Sequence, residues 1–189
     1  MEIGVDIPIN FAPPPHTGRL FDEFVLRCQS FLTEFPHNVA CKRIVDILPH
    51  VLINKSLIEL IGNRQGRNVA FEESHGGLTV LAHYHPHEVQ SQPHDHGRTW
   101  AIYGVVTGFT AMWEWELVEP PTEQHKGKVK LTNSYWVFPG EAHYFPVGAI
   151  HSHRTYEDSR LLRLEGMNIH RKSLNIGGKY FEPINDPLY

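Results

Sequence analysis

The chain has 189 residues, 41% hydrophobic and 20% charged, with a formal net charge of −4; that is enough for one well-buried core and leaves no basic surface for a nucleic acid. No apolar run approaches the roughly 20 residues that span a bilayer, and the opening MEIGVDIPINFAPPPH lacks the basic-then-apolar order of a secretion signal. Cys28 and Cys41 are the only cysteines, which fits a reducing cytoplasm better than a disulfide scaffold.

Residues 1–16 are expected to form an irregular arm, because Pro13-Pro14-Pro15 blocks helix and sheet pairing alike. From Thr17 the pattern changes: Leu20, Phe21, Phe24, Val25, Cys28, Phe31 and Leu32 recur at three- and four-residue spacing, which predicts an amphipathic helix. Val39 to Leu48 and Lys55 to Ile61 predict one or two shorter helices, and Gly62 sits where a helix would stop. After Arg67 the texture becomes β. Asn68 to Glu73, Leu78 to His83, Thr99 to Thr107, Phe109 to Leu117 and Val129 to Phe138 are strand-like, with His151 to Thr155 and Arg160 to Leu164 following. Gly76-Gly77, Gly108, Pro120-Pro121 and Pro139-Gly140 punctuate them at intervals typical of an all-β barrel or sandwich. The expected division is an arm and helices over 1–66, a β-barrel over 67–170, and an irregular tail over 171–189 packed across it, all in one domain.

Fourteen histidines are the compositional outlier. His94-Asp95-His96 places two imidazoles on one side of an extended segment, because side chains alternate along it. A turn signal, Pro146-x-Gly148, then leads into His151. Three neutral imidazoles suit iron, copper, nickel or zinc and leave coordination positions open. Any one of them alone is more simply a hydrogen-bonded surface or core histidine; the three together, each beside its turn pattern, point to a metal. His83, His85 and His87 form a competing cluster expected just behind the ligands or at the rim. Asp95 faces away and is expected to be structural. Trp100, Tyr103, Trp113 and Trp115 are expected to build barrel walls, and core packing is the simpler expectation for Tyr144 and Tyr156.

These motifs resemble those of the cupin superfamily. Gly140, Pro146, Gly148 and His151 match every position of the second cupin motif. His94, His96 and Gly108 match the first, where Glu88 replaces the leading Gly and Ala101 replaces the Glu. The match covers about residues 88–151. The resemblance implies a mainly β fold, the cupin double-stranded β-helix, with a short helical segment ahead of it. Most metal cupins use three His and one Glu, whereas the cysteine dioxygenase branch uses three His only. The stretch HDHGRTWAIYGVVTG looks most like the bacterial thiol dioxygenases of that branch. Arg67-Asn68 is similar to the Arg-Asn pair whose Arg binds the substrate carboxylate there. One departure stands out. The Ser-x-His-x-Tyr relay of thiol dioxygenases is replaced here by Leu161-Leu162-Arg163-Leu164-Glu165, with Arg163 and Glu165 facing the side of the lost His and Tyr.

What the resemblance implies is Fe(II) held by neutral His94, His96 and His151, with O2 as co-substrate and a small thiol carboxylate oxidised to a sulfinic acid. Arg67 would grip the carboxylate, though a surface ion pair is an equal reading of that residue. Arg163 and Glu165 would be catalytic or hold a different substrate, and Glu165→Gln is expected to alter turnover more than metal content. The alternatives are a cupin oxygenase acting on a diketone or aromatic acid, a zinc site with bound water doing hydrolytic or lyase chemistry, and a barrel that binds a ligand or metal without catalysis. The sequence leaves substrate, native metal and oligomeric state open.

Overall fold

A computed structural model describes residues 18–74, 77–156, 158–167 and 179–184. The expected arm over 1–16 and most of the 171–189 tail lie outside the described residues. Three helices come first: α1 (Gly18–Glu34), α2 (His37–Leu52) and α3 (Lys55–Ile61). In α1 the spacing of Phe21, Phe24, Val25 and Cys28 makes one buried stripe, as a 3.6-residue period requires. Helix α2 runs a turn beyond the predicted end at Leu48, straight through Pro49. Proline so near a helix C-terminus removes only one ladder bond, and Val51 and Leu52 gain burial in exchange. Asn54 caps α3 by accepting a hydrogen bond from the Ser56 backbone N–H at 2.9 Å, which satisfies an otherwise orphaned donor. Gly62, at φ 61°, ends it. No helix among the described residues is long and apolar enough to cross a membrane.

Ten strands follow: β1 (Gly66–Glu72), β2 (Thr79–His85), β3 (Val89–Gln90), β4 (Ala101–Thr107), β5 (Thr110–Glu119), β6 (Lys128–Val137), β7 (Ala142–Phe145), β8 (Ile150–Thr155), β9 (Ser159–Glu165) and β10 (Glu182–Pro183). They form two five-stranded sheets, ordered β1-β2-β9-β4-β7 and β10-β6-β5-β8-β3. The outgoing strands β2, β3, β4 and β5 pair antiparallel with the returning β9, β8, β7 and β6 in turn, crossing between the sheets at alternate steps. A two-stranded ribbon wound in this way is a double-stranded β-helix, and the fold is mainly β as the motifs implied. The tail is not wholly irregular where it is described: β10 lies parallel along β6.

Alternation sorts the side chains into three layers. One face of the first sheet, with Val80, Ala82, Ile102, Leu162 and Leu164, packs on Ile44, Leu48 and Leu52 of α2. The opposite face meets the second sheet through Ala101, Tyr103, Val105, Leu161, Phe145, Met112 and Val137. The outer face of the second sheet carries Trp113, Trp115 and Ile150 under Phe181 from the tail. Strand β9 is buried at every position, although four of its seven residues, Ser159, Arg160, Arg163 and Glu165, are polar or charged. Helix α2 comes closest to the sheet at Gly104, where an added Cβ would lie 2.7 Å and 2.8 Å from the two methyls of Leu52 and 3.2 Å from Leu48. Both leucines are fully buried. Gly104→Ala should therefore overpack this layer and cost about 1–3 kcal/mol, read as a lower urea midpoint with an unchanged slope.

Candidate metal centre

His94 and His151 come together through backbone pairing. Each donates its N–H to the other's carbonyl, at 2.9 and 3.0 Å, so an antiparallel bridge joins the His94 loop to β8. The loop is held from its other side by Asp95, whose carboxylate accepts from the backbone N–H of Gly97 at 2.9 Å and of Lys179 at 2.8 Å. Asp95 is thus structural, as its parity suggested. Gly97, at φ 62°, lets the chain turn toward β4 with His96 pointing inward.

One ring nitrogen from each of His94, His96 and His151 lies within 4.8 Å of the others. Nε2 of His96 is 3.3 Å from Nε2 of His151, and the two rings are parallel within 5°. Two nitrogens on one ion at about 2.1 Å stand roughly 3.0–3.4 Å apart for right-angled to tetrahedral arrangements, so the spacing fits a shared metal. Two of the three far nitrogens are tied off, those of His94 and His96. Nδ1 of His94 lies 2.8 Å from the Gln92 carbonyl, and Nδ1 of His96 lies 3.1 Å from Oε1 of Glu165. An Nδ1–H donated outward leaves the Nε2 lone pair facing in. Burial pushes the pKa of His94 down to about 4 and that of His96 below its usual value, while His151 is pushed well below it, burial first and then its neighbouring imidazoles. Each shift favours the neutral imidazole, the ligating form. Three histidines placed so can bind a metal.

Strand register brings charge to the same interior. Glu165 on β9 stands opposite Ala101, and Arg163 opposite Tyr103. Arg163 Nε lies 3.1 Å from Glu165 Oε1, and its Nη1 donates to the Tyr103 hydroxyl at 3.2 Å. That hydroxyl is 3.3 Å from Nε2 of His96. Burial pushes the Glu165 carboxyl up, but the His96 hydrogen bond and the charges of Arg163 and Arg67 outweigh it and hold its pKa below the usual range. Arg67 on β1 pairs in register with His83, and its charge is felt by Glu165, Tyr103 and His83. Five of the six residues singled out from sequence, His94, His96, His151, Arg163 and Glu165, are thus linked by contacts, and Arg67 stands in register with His83 on the neighbouring strand.

Tyr103 is a wall residue by its ring, as expected, and its hydroxyl in addition stands 3.3 Å from Nε2 of His96. Trp100 lies in the helix-packed layer and Trp113 and Trp115 on the outer sheet face. Tyr144 packs toward the helices. Tyr156 stacks on Phe109 on the outside, with ring centroids 4.7 Å apart. Sequence reasoning missed His153, whose ring centroid is 5.8 Å from that of Tyr103 and whose Nδ1 is 3.1 Å from the Ser91 hydroxyl. The signal was available, because His151-x-His153 has the same parity as His94-x-His96. Of the competing cluster, His83 turns a buried Nε2 inward, His85 is half-buried and His87 is exposed.

No protein-family model matches this sequence, and no curated protein does. Solved structures are similar to it. KdgF from a Halomonas species is 22% identical with a TM-score of 0.41, over 57% of this chain and 81% of that one. The DMSP lyase DddQ from Ruegeria pomeroyi is 17% identical with a TM-score of 0.42, over 62% of this chain and 51% of that one. The cupin domain of Schizosaccharomyces pombe Cnp3 is 11% identical with a TM-score of 0.40, over 58% and 66%. The chain thus spans most of KdgF and about half of DddQ.

Proposed function

We propose that this protein is a non-haem iron(II) dioxygenase of the thiol dioxygenase type, working on a small thiol carboxylate in the cytoplasm. The observation that carries the reading is a ligand set of three neutral imidazoles without a carboxylate: the position opposite Glu165 is Ala101, and Glu165 itself is engaged by His96 and Arg163. Such a set leaves the charge of a divalent ion uncompensated, which favours an anionic donor such as a thiolate. Iron(II), when bound, supplies the electron transfer that lets both atoms of O2 pass to sulfur and yield a sulfinic acid.

The protein's own part is orientation. Glu165 holds the His96 ring through Nδ1. Arg163, tied to Tyr103 and Glu165, and Arg67 supply positive charge for a substrate carboxylate. The Ser-x-His-x-Tyr pattern is absent from β9; Ser91 bonds His153, whose ring lies 5.8 Å from that of Tyr103 beside the three histidines. A second reading draws on Arg163 and Glu165, whose buried pair stands where the relay would be: a cupin oxygenase acting on a non-thiol substrate such as a dione.

Oxygen consumption by anaerobically iron-loaded protein separates the two. Uptake with 3-mercaptopropionate or cysteine, matched by sulfinate formed, is the expected result. Uptake with a dione and with no thiol would replace the first reading with the second.

A further inference from the structure

Among the buried side-chain nitrogens near the metal centre with no hydrogen-bond partner among the described residues are Nη2 of Arg163 and Nε2 of His83. Arg163 is 7% exposed, so water does not readily serve its guanidinium. Folded proteins pair buried N–H groups almost without exception, and those left over mark a place that something else fills. Nη1 of Arg163 donates to the Tyr103 hydroxyl and Nε lies 3.1 Å from Glu165 in an ion pair without hydrogen-bond geometry, so the guanidinium is held on that side and Nη2 is left over. His83 stands on the same face of the adjacent strand. It is opposite Leu161, and Arg163 is opposite Leu81, so the two are diagonal neighbours within reach of one small group. The charge of Arg163 helps push the His83 pKa well below its usual value, after burial itself, and the Arg67 charge acts on the same ring.

We propose that Arg163 and His83 form an anion seat on the β2–β9 side of the metal centre, taking the carboxylate of a short organic acid whose other end reaches the metal. The guanidinium offers a charged N–H and the imidazole tautomer protonated at Nε2 a neutral one, two donors for the two oxygens of a carboxylate. The acid is short because the seat is close: Arg163 touches the Tyr103 hydroxyl, which in turn lies 3.3 Å from Nε2 of His96. A spacer of about two or three carbons between carboxylate and metal donor suits so short a spacing. Selection for a carboxylate thus falls to a pair on β2 and β9, in addition to Arg67 on β1. The inference rests on the three-histidine metal centre and is independent of which atom is oxidised.

The test is isothermal titration of the zinc-loaded full chain with propionate and with propionamide, its uncharged isostere. Wild type should bind propionate at least about tenfold more tightly than propionamide. His83→Leu and Arg163→Met should each bring that ratio close to one with zinc content unchanged, and His83→Gln, which keeps an N–H donor, should restore part of it. Should Arg163→Met fail to fold, His83→Leu decides, because it removes a side chain whose Nε2 has no protein partner. A wild type without the preference, or a preference kept in His83→Leu at full zinc content, overturns the proposal. Neither oxygen nor thiol enters this measurement, so failed thiol oxidation leaves it standing, and its own failure leaves the oxygen-uptake result untouched.

Discussion

His151→Ala should strip the protein of metal, whereas His153→Ala should leave the metal content near that of wild type. The two side chains are two residues apart on β8 and point to the same face, so the contrast isolates geometry from composition. His151 is bridged to His94 through both backbone hydrogen bonds, and its Nε2 is the partner of His96 Nε2 at 3.3 Å. Losing it leaves two nitrogens and an open side. The drop in affinity should exceed the roughly 10–100-fold that follows loss of an outer hydrogen-bonding partner, and oxygen consumption should fall with it. Elemental analysis of both variants after anaerobic loading gives the answer; metal retained by His151→Ala would remove this residue from the centre. Phe145 stacks on the His151 ring at 4.0 Å, so His151→Gln, which fills more of that space, is the control for a packing defect.

Glu165→Gln should damage stability and metal affinity together. The carboxylate is fully buried and is shared by Arg163 and His96. Removing its charge leaves the Arg163 guanidinium in the interior without its ion-pair partner, a loss of about 3–5 kcal/mol for a broken buried pair. It also replaces a carboxylate on His96 Nδ1 by an amide, which should lower metal affinity about 10–100-fold. From sequence alone the substitution was expected to act on turnover more than on metal content. The His96 contact changes that, because Glu165 orients a ligand ring. The double variant Glu165→Gln with Arg163→Met separates the effects. Chemical denaturation should show stability largely recovered, since neither charge remains, while metal titration should still show weak binding. Recovery of both would mean that Glu165 serves only to neutralise Arg163.

Much of this arrangement was legible in the residues because it depends on local spacing. Leu20 to Leu32 wrote the α1 stripe, and the alternating runs wrote most of the strands to within a few residues. His94-x-His96 and the Pro146-x-Gly148 turn before His151 named the three imidazoles that meet, since parity along an extended chain sets the face of each side chain. Short elements escaped. The strands β3, β7 and β10 have too few residues to show a period, and β10 forms only because the returning tail finds β6 and the Pro93–Asp95 loop already in place.

The sequence by itself determined which residues face inward: His94, His96, His151, His153, Arg163 and Glu165 all follow from alternation. Only the tertiary structure decided what else each of them meets. Parity cannot distinguish His151 from His153; the bridge from His94 does. Nor can it set Glu165 against Ala101, or Arg163 against Tyr103 and beside His83. Those neighbours come from pairing between strands some sixty to eighty residues apart in the chain, and such register is settled by the burial of whole sheet faces, not by any local pattern.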